Sequence, residues 1–179
     1  MFKKILSIIV IIVSAAGIFI NFQPEIMNVS TSKFIAAPPM KVFPYINDLR
    51  KFNEWSPWAK MDPNSTIVFA GPSSGVGASF SWTGNEQVGE GTETIVKSAP
   101  GSLVELRLDF VKPMKGTSYA YFYLEPLGKG TKVTWGMRSR KNFIMKAVGL
   151  FMDCGKMMTD IFNQGLENLD KTVMSGAAK

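Results

Sequence analysis

Three carboxylates stand close together in GNEQVGEGTE, where Glu86, Glu90 and Glu93 surround Gly89 and Gly91. Two carboxylates can serve as general acid and general base when burial drives their pKa values apart. Glu90, held between two glycines, and Glu86 are the acid/base candidates, with a tyrosine as an alternative second group. The competing role for Glu90 is structural, satisfying backbone donors at a strand bulge. The stretch has no GxxxxGK[ST] pattern and no following helix, so it is not a phosphate loop. The chain has no histidine, which removes the commonest general base, the commonest metal ligand and every histidine-activated nucleophile. Its single cysteine, Cys154, allows neither an internal disulfide nor a multi-cysteine zinc site. No metal and no cofactor is expected.

Aromatic and sulfur side chains are the positive signal. Trp55 and Trp58 flank a Ser-Pro pair in EWSPWAK and contribute half of the tryptophans. Further along, Phe80, Trp82, Phe110, Phe122, Trp135, Met137, Phe151, Met158 and Phe162 fall on positions whose spacing points inward. Such residues make a core, or they line a space between elements. Met145, Met152, Met157 and Met158 on one helical stretch suit a wall that must accept variable apolar shapes. Tyr119, Tyr121 and Tyr123 alternate with the inward residues of their strand, so they line the opposite face.

The elements that position these residues follow from periodicity. At 179 residues, 46% apolar and 19% charged, the chain has the composition of one globular domain. Lys3 and Lys4 precede an uncharged apolar run, Ile5 to Phe22, at the short end of what spans a bilayer. Ser14-Ala15-Ala16 resembles a signal-peptide cleavage site, but the run continues through Ile18, Phe19 and Ile20, which favours an uncleaved anchor. Residues 1–22 are therefore assigned to a membrane anchor or uncleaved signal, 23–27 to a linker and 28–175 to the folded domain. A first strand is expected over 29–35. Pro38-Pro39 then opens a region of short helices that EWSPW closes.

Strands are expected over 66–69, 78–83, 92–97, 103–110, 117–125 and 131–137, separated by Gly/Pro/Asn turns. The clearest is Val104, Leu106, Leu108 and Phe110 alternating with Glu105, Arg107 and Asp109, a strand with one wet face. The period then changes. Ile144, Val148, Phe151, Gly155, Met158, Phe162, Leu166 and Leu169 recur at three and four, predicting one long amphipathic helix to about Val173. Gly149, Gly155 and Gly165 fit a helix poorly unless it bends or its backbone approaches something closely. Sequential strands without intervening helices make an antiparallel sheet, and only the long helix is large enough to cover its dry face. The gap between them is the natural place for a ligand.

That order resembles the helix-grip fold of the SRPBCC (START-like) superfamily, in particular its polyketide cyclase/dehydrase and lipid-transport branch. The resemblance is carried by Ile35-Ala36-Ala37-Pro38 running into Val42-Phe43, by Trp55-Ser56-Pro57-Trp58 and by Trp82-x-Gly84-Asn85. It continues in Val88-Gly89-Glu90-Gly91-Thr92, Gly130-Thr131-x-Val133-Thr134-Trp135 and Phe162-x-x-Gly165-Leu166-x-x-Leu169. Together these cover about residues 28–173. The resemblance implies an α+β fold, a curved antiparallel sheet wrapped around a long C-terminal helix, here preceded by one transmembrane helix. It also implies a hydrophobic-ligand scaffold that only some members use for catalysis, and fold alone does not select a reaction.

The expected function is a membrane-anchored domain that holds a hydrophobic small molecule or lipid between sheet and helix, without catalysis. Its rivals are a cyclase-like enzyme using Glu90 with Glu86, and an interaction module with a filled interior and exposed tyrosines. The aromatic and methionine positions named above, together with Trp55 and Trp58, are the cavity candidates. The formal charge of +6 is scattered apart from Arg138, Arg140, Lys141 and Lys146. No nucleic-acid partner is expected without a basic stripe interleaved with exposed aromatics. Lys3 and Lys4 favour a cytoplasmic N-terminus and place the folded domain on the outer, periplasmic or extracellular, side.

Overall fold

The computed structural model describes residues 2–176. A single antiparallel sheet of seven strands runs β1(Ile26–Ile35), β2(Thr66–Ala70), β3(Ser79–Thr83), β4(Glu90–Ala99), β5(Leu103–Lys112), β6(Gly116–Leu127) and β7(Gly130–Arg140). Its spatial order is β1-β7-β6-β5-β4-β3-β2, so β2 to β7 form one meander and β1 closes onto the last strand. The first strand starts at Ile26, three residues before the expected start, because Met27 pairs with Ser139 and extends the ladder into the expected linker.

The helices obey local rules. An N-terminal helix α1(Phe2–Asn21) precedes the sheet. Pro39 occupies the first turn of α2(Pro39–Asn47), where a missing N–H costs nothing. Asp48 caps α3(Leu49–Trp55) by accepting from the Arg50 N–H at 2.9 Å. Ser56 then leaves helical geometry because Pro57 disfavours it, and α4(Pro57–Met61) restarts in a new direction. The Trp-Ser-Pro-Trp stretch is thus the corner between two helices. Trp55 ends one and Trp58 lies in the next.

The expected single C-terminal helix is two. A short α5(Phe143–Val148), capped by Asn142 at the Met145 N–H, ends at Gly149, and α6(Cys154–Gly176) begins after a turn. Asp153 starts the second helix by accepting from the Lys156 N–H at 2.8 Å. Phe151 falls in this turn and is 89% exposed, which corrects its expected inward position. The three-and-four period runs across the break, but the backbone does not. Met152 and Met157 are also exposed, leaving Met158 as the only one of the four helical methionines on the expected cavity wall.

From Phe162 onward the reading and the structure agree. Phe162, Gly165, Leu166, Leu169 and Val173 are the buried face of α6. Burying each large apolar side chain here stabilises the fold by about 1.5–3 kcal/mol. The helix lies along β1, where Thr31 donates to the Asn163 side chain at 2.6 Å and Lys33 approaches Asp170 at 3.8 Å. The curved sheet and α6 enclose the core, with α2 to α4 packed at one end.

Candidate functional site

Pairing fixes which side chains share a row on the inner face of the sheet. Glu93 on β4 stands opposite Phe80 on β3 and Leu108 on β5, and Leu108 is opposite Ser118 on β6. Two rows along the same face, beyond Leu106, Ala120 and Met137, Val104, Phe122 and Trp135 follow one another across β5, β6 and β7. Beneath these rows, between sheet, α3, α4 and α6, lies a cavity of about 270 Å³. Its wall is chiefly apolar: Trp58, Phe80, Trp82, Leu108, Phe110, Ala120, Trp135, Met137, Met158 and Phe162 all contribute. An engineered apolar cavity of about 150 Å³ accommodates benzene, so this space fits a bicyclic or short-chain molecule.

Two walls of the cavity are held in different ways. On one side Trp135 is stacked on Phe162, with centroids 4.4 Å apart and planes 15° apart, and meets Phe122 at a 30° tilt with centroids 4.8 Å apart. The edges of Phe52, Trp55 and Trp58 close around it at 6.1, 5.5 and 5.6 Å. Such arrangements exploit the ring quadrupole and lock side chains beyond simple burial. Gly165 permits this contact, since a Cβ there would run into the Trp135 ring and Pro57. That is the close approach its place in a helix signals.

The opposite wall is held by hydrogen bonds. Asp62, after α4, accepts from the Asn64 N–H at 3.1 Å and from the Asn85 N–H at 2.7 Å. The Asn85 side chain in turn accepts from the Gln87 and Val88 N–H groups at 2.9 and 3.2 Å. Trp82 donates its indole N–H to the Val88 carbonyl at 3.2 Å. The Trp-x-Gly-Asn sequence is thus a latch that fixes the β3–β4 turn, with Gln87 and Val88 in the cavity wall.

Of the sequence candidates, Trp58, Phe80, Trp82, Phe110, Trp135, Met137, Met158 and Phe162 come together on this wall. Trp55 and Phe122 do not reach it. They are fully buried behind it, and the Trp55 indole donates to the Tyr45 carbonyl at 2.9 Å. Phe151 is outside altogether. Neither Glu86 nor Glu90 lines the cavity. Glu86 is exposed, and Glu90 binds Lys112 at 2.8 Å at a register irregularity of β4.

The carboxylate that does line it is Glu93, which sequence reasoning grouped with its neighbours but did not select. The signal was present. Inward positions on β4 alternate through Gly91, Glu93 and Ile95, and counting back from Ile95 places Glu93 in the interior. Its residue is 7% exposed, and loss of water, with no charged or hydrogen-bonding partner among the described residues, pushes its carboxyl up to about 8. Glu93 is therefore chiefly a neutral acid at pH 7. Trp135 supplies a second orphan, because its buried indole N–H has no partner among the described residues. Lys112, at the same wall, is held protonated by its hydrogen bond to Glu90.

The arrangement can hold an apolar molecule and offer it a few polar contacts. Among the described residues no three carboxylate or cysteine side chains gather to hold a metal ion. Glu93 and Lys112 are the only ionisable groups among the described residues of the wall, so no acid/base pair of carboxylates is formed there.

Solved structures share this fold at low identity. A protein from Chromobacterium violaceum, CV1439, superposes with a TM-score of 0.60 at 14% identity, over 82% of this chain and 96% of its own. Protein MLL2253 from Mesorhizobium loti gives 0.60 at 15% identity, over 83% and 97%. The Aha1 dimer from Colwellia psychrerythraea gives 0.57 at 16% identity, over 82% and 96%. No curated protein matches the sequence. The family model for polyketide cyclase / dehydrase and lipid transport matches residues 27–174, all of the sheet but Ile26 and nearly all of α6. The chain belongs to that family, the polyketide cyclase/dehydrase and lipid-transport group of SRPBCC proteins.

Proposed function

We propose that this protein binds an apolar small molecule, with lipids among the candidate ligands, in the cavity between sheet and α6, and that it does so without catalysis. The observation that carries this reading is the cavity itself, about 270 Å³ of space with aromatic and aliphatic walls in an otherwise packed domain. Protein interiors are close-packed, and a pocket of this size with apolar walls and a few polar groups has the form of a small-molecule site. The filled-interior alternative has no account of that space. The enzyme alternative needs Glu90 with Glu86 or a tyrosine in the pocket, and none of these is among the residues that line it.

The reading includes an anchor. Helix α1 is apolar and long enough to cross a bilayer, about 30 Å over its length. Lys3 and Lys4 at its start favour a cytoplasmic N-terminus, which leaves the binding domain on the outer side of the membrane. The binding claim is tested by native mass spectrometry of the chain purified from the cells that make it. A retained apolar molecule is expected, and Ala120→Phe, which fills the cavity wall, should expel it. A chain that is empty as isolated and takes up no apolar probe sinks the proposal.

A further inference from the structure

We infer that the ligand carries a hydrogen-bond-accepting oxygen, a carbonyl or hydroxyl, seated on the Glu93 carboxyl. This inference rests on the cavity being a binding site and specifies what enters it. Glu93 lines the cavity, is more than nine-tenths buried, and its carboxyl has no charged or hydrogen-bonding partner among the described residues. Leaving a buried polar group unpaired costs stability, so an orphaned donor on a cavity wall calls for a partner from the cavity side. A carboxyl among Phe80, Leu108 and Phe110 contributes nothing to packing that leucine would not do better.

The polarity of the partner follows from the state of this group. Glu93, kept protonated by its dry surroundings, donates at neutral pH. A donor on the wall suits an acceptor oxygen. A cationic amine or a carboxylate would each have to shed its water in the same surroundings that keep Glu93 neutral. Neutral oxygen is what remains.

The test uses the full chain in detergent and three probes on one bicyclic frame: tetralin, 1-tetralone and 1-aminotetralin. Partitioning into micelles cancels when the tetralone-to-tetralin affinity ratio is compared between variants. Glu93→Leu is expected to lower that ratio roughly tenfold, whereas Glu93→Gln, which keeps a donor, preserves it. Wild-type affinity for tetralone should fall above about pH 8 as Glu93 ionises, and this dependence should vanish in Glu93→Gln. An unchanged ratio in Glu93→Leu, or preference for the amine, overturns the inference while tetralin binding still supports the cavity as a site. Binding of none of the three overturns both.

A second, independent observation concerns the surface. Phe143, Ile144, Val148, Leu150, Phe151 and Met152 form an exposed apolar run over α5 and the following turn. This run adjoins the end of α1, where Lys146 donates to the Asn21 carbonyl at 3.0 Å. We propose that it lies in the bilayer interface beside the point where α1 leaves the membrane. Continuity with the anchor selects lipid over a protein partner, since a helix end fixed at Asn21 holds the run at headgroup depth. The reporter is an environment-sensitive dye on Phe151→Cys, with Cys154→Ser, in liposomes containing the full chain. A blue-shifted signal quenched by shallow lipid-borne quenchers is expected there. The same dye at Val68→Cys, on the far edge strand, should stay water-like. A water-like signal at both positions contradicts the proposal.

Discussion

The Trp135 ring lies flat on Phe162, centroids 4.4 Å apart, and Gly165 one turn further along α6 leaves the room that Trp135 needs. This contact joins the last strand to the last helix and forms the aromatic wall of the cavity. Gly165→Ala inserts a methyl group into the Trp135 ring and Pro57, neither of which is free to move. Thermal or urea denaturation should show a loss of about 1–3 kcal/mol. Alanine's better helix propensity offsets up to about 1 kcal/mol of that, so a net stabilisation would show the wall to be soft.

The two tryptophans of the Ser-Pro corner should separate cleanly. Trp55 is fully buried and bonded to the Tyr45 carbonyl, so Trp55→Ala should cost about 3–5 kcal/mol in equilibrium unfolding. Trp58 already borders empty space, so Trp58→Ala should cost less and enlarge the cavity. Its signature is a shift of probe preference towards larger molecules, and equal destabilisation by both variants would contradict the assignment.

Asp62 holds the β3–β4 turn through the Asn64 and Asn85 N–H groups. Asp62→Ala leaves those donors unpaired and should cost about 1–3 kcal/mol. Hydrogen exchange localises the effect. Faster exchange is expected at the Val88 and Gly89 amides and at the Trp82 indole, with the β6–β7 pairing unchanged.

Glu93 makes stability depend on pH with a definite sign. Its ordinary value is 4.5 and its folded value about 8, so between these the folded state holds a proton that the unfolded state has lost. Stability is therefore fully retained below about pH 4.5 and falls as pH rises towards 8, by at most about 1.4 kcal/mol per unit, then levels off. Glu93→Gln should flatten this segment of the profile. A wild-type profile that is flat or rises over the same range contradicts a dry, unpaired carboxyl at this position.

Alternation made most of the sheet legible. Val104, Leu106, Leu108 and Phe110 announce their strand, and Trp82, Trp135 and Met137 were placed on the correct face by counting in twos. The limits of that reasoning are equally physical. The helical period carries on from Val148 through Phe151 to Met158, yet Gly149 and Asp153 stop and restart the backbone, a local event that periodicity cannot see. Inward direction also does not distinguish Phe122, packed against its neighbours, from Phe110, facing empty space. That difference arises where α3, α4 and α6 meet the sheet. Glu93 was obscured by its neighbours, since two of the three carboxylates are solvated or paired and composition treats them alike.

The claim that the cavity takes up an apolar molecule is tested most directly by the four indole N–H signals of the full chain in detergent, titrated with 1-tetralone. Trp58, Trp82 and Trp135 line the cavity and Trp55 lies behind it, bonded to Tyr45. The three lining indoles should shift with one common saturation curve, while Trp55 stays in place. Four unmoved signals at saturating probe, or movement of Trp55 alone, would contradict the account.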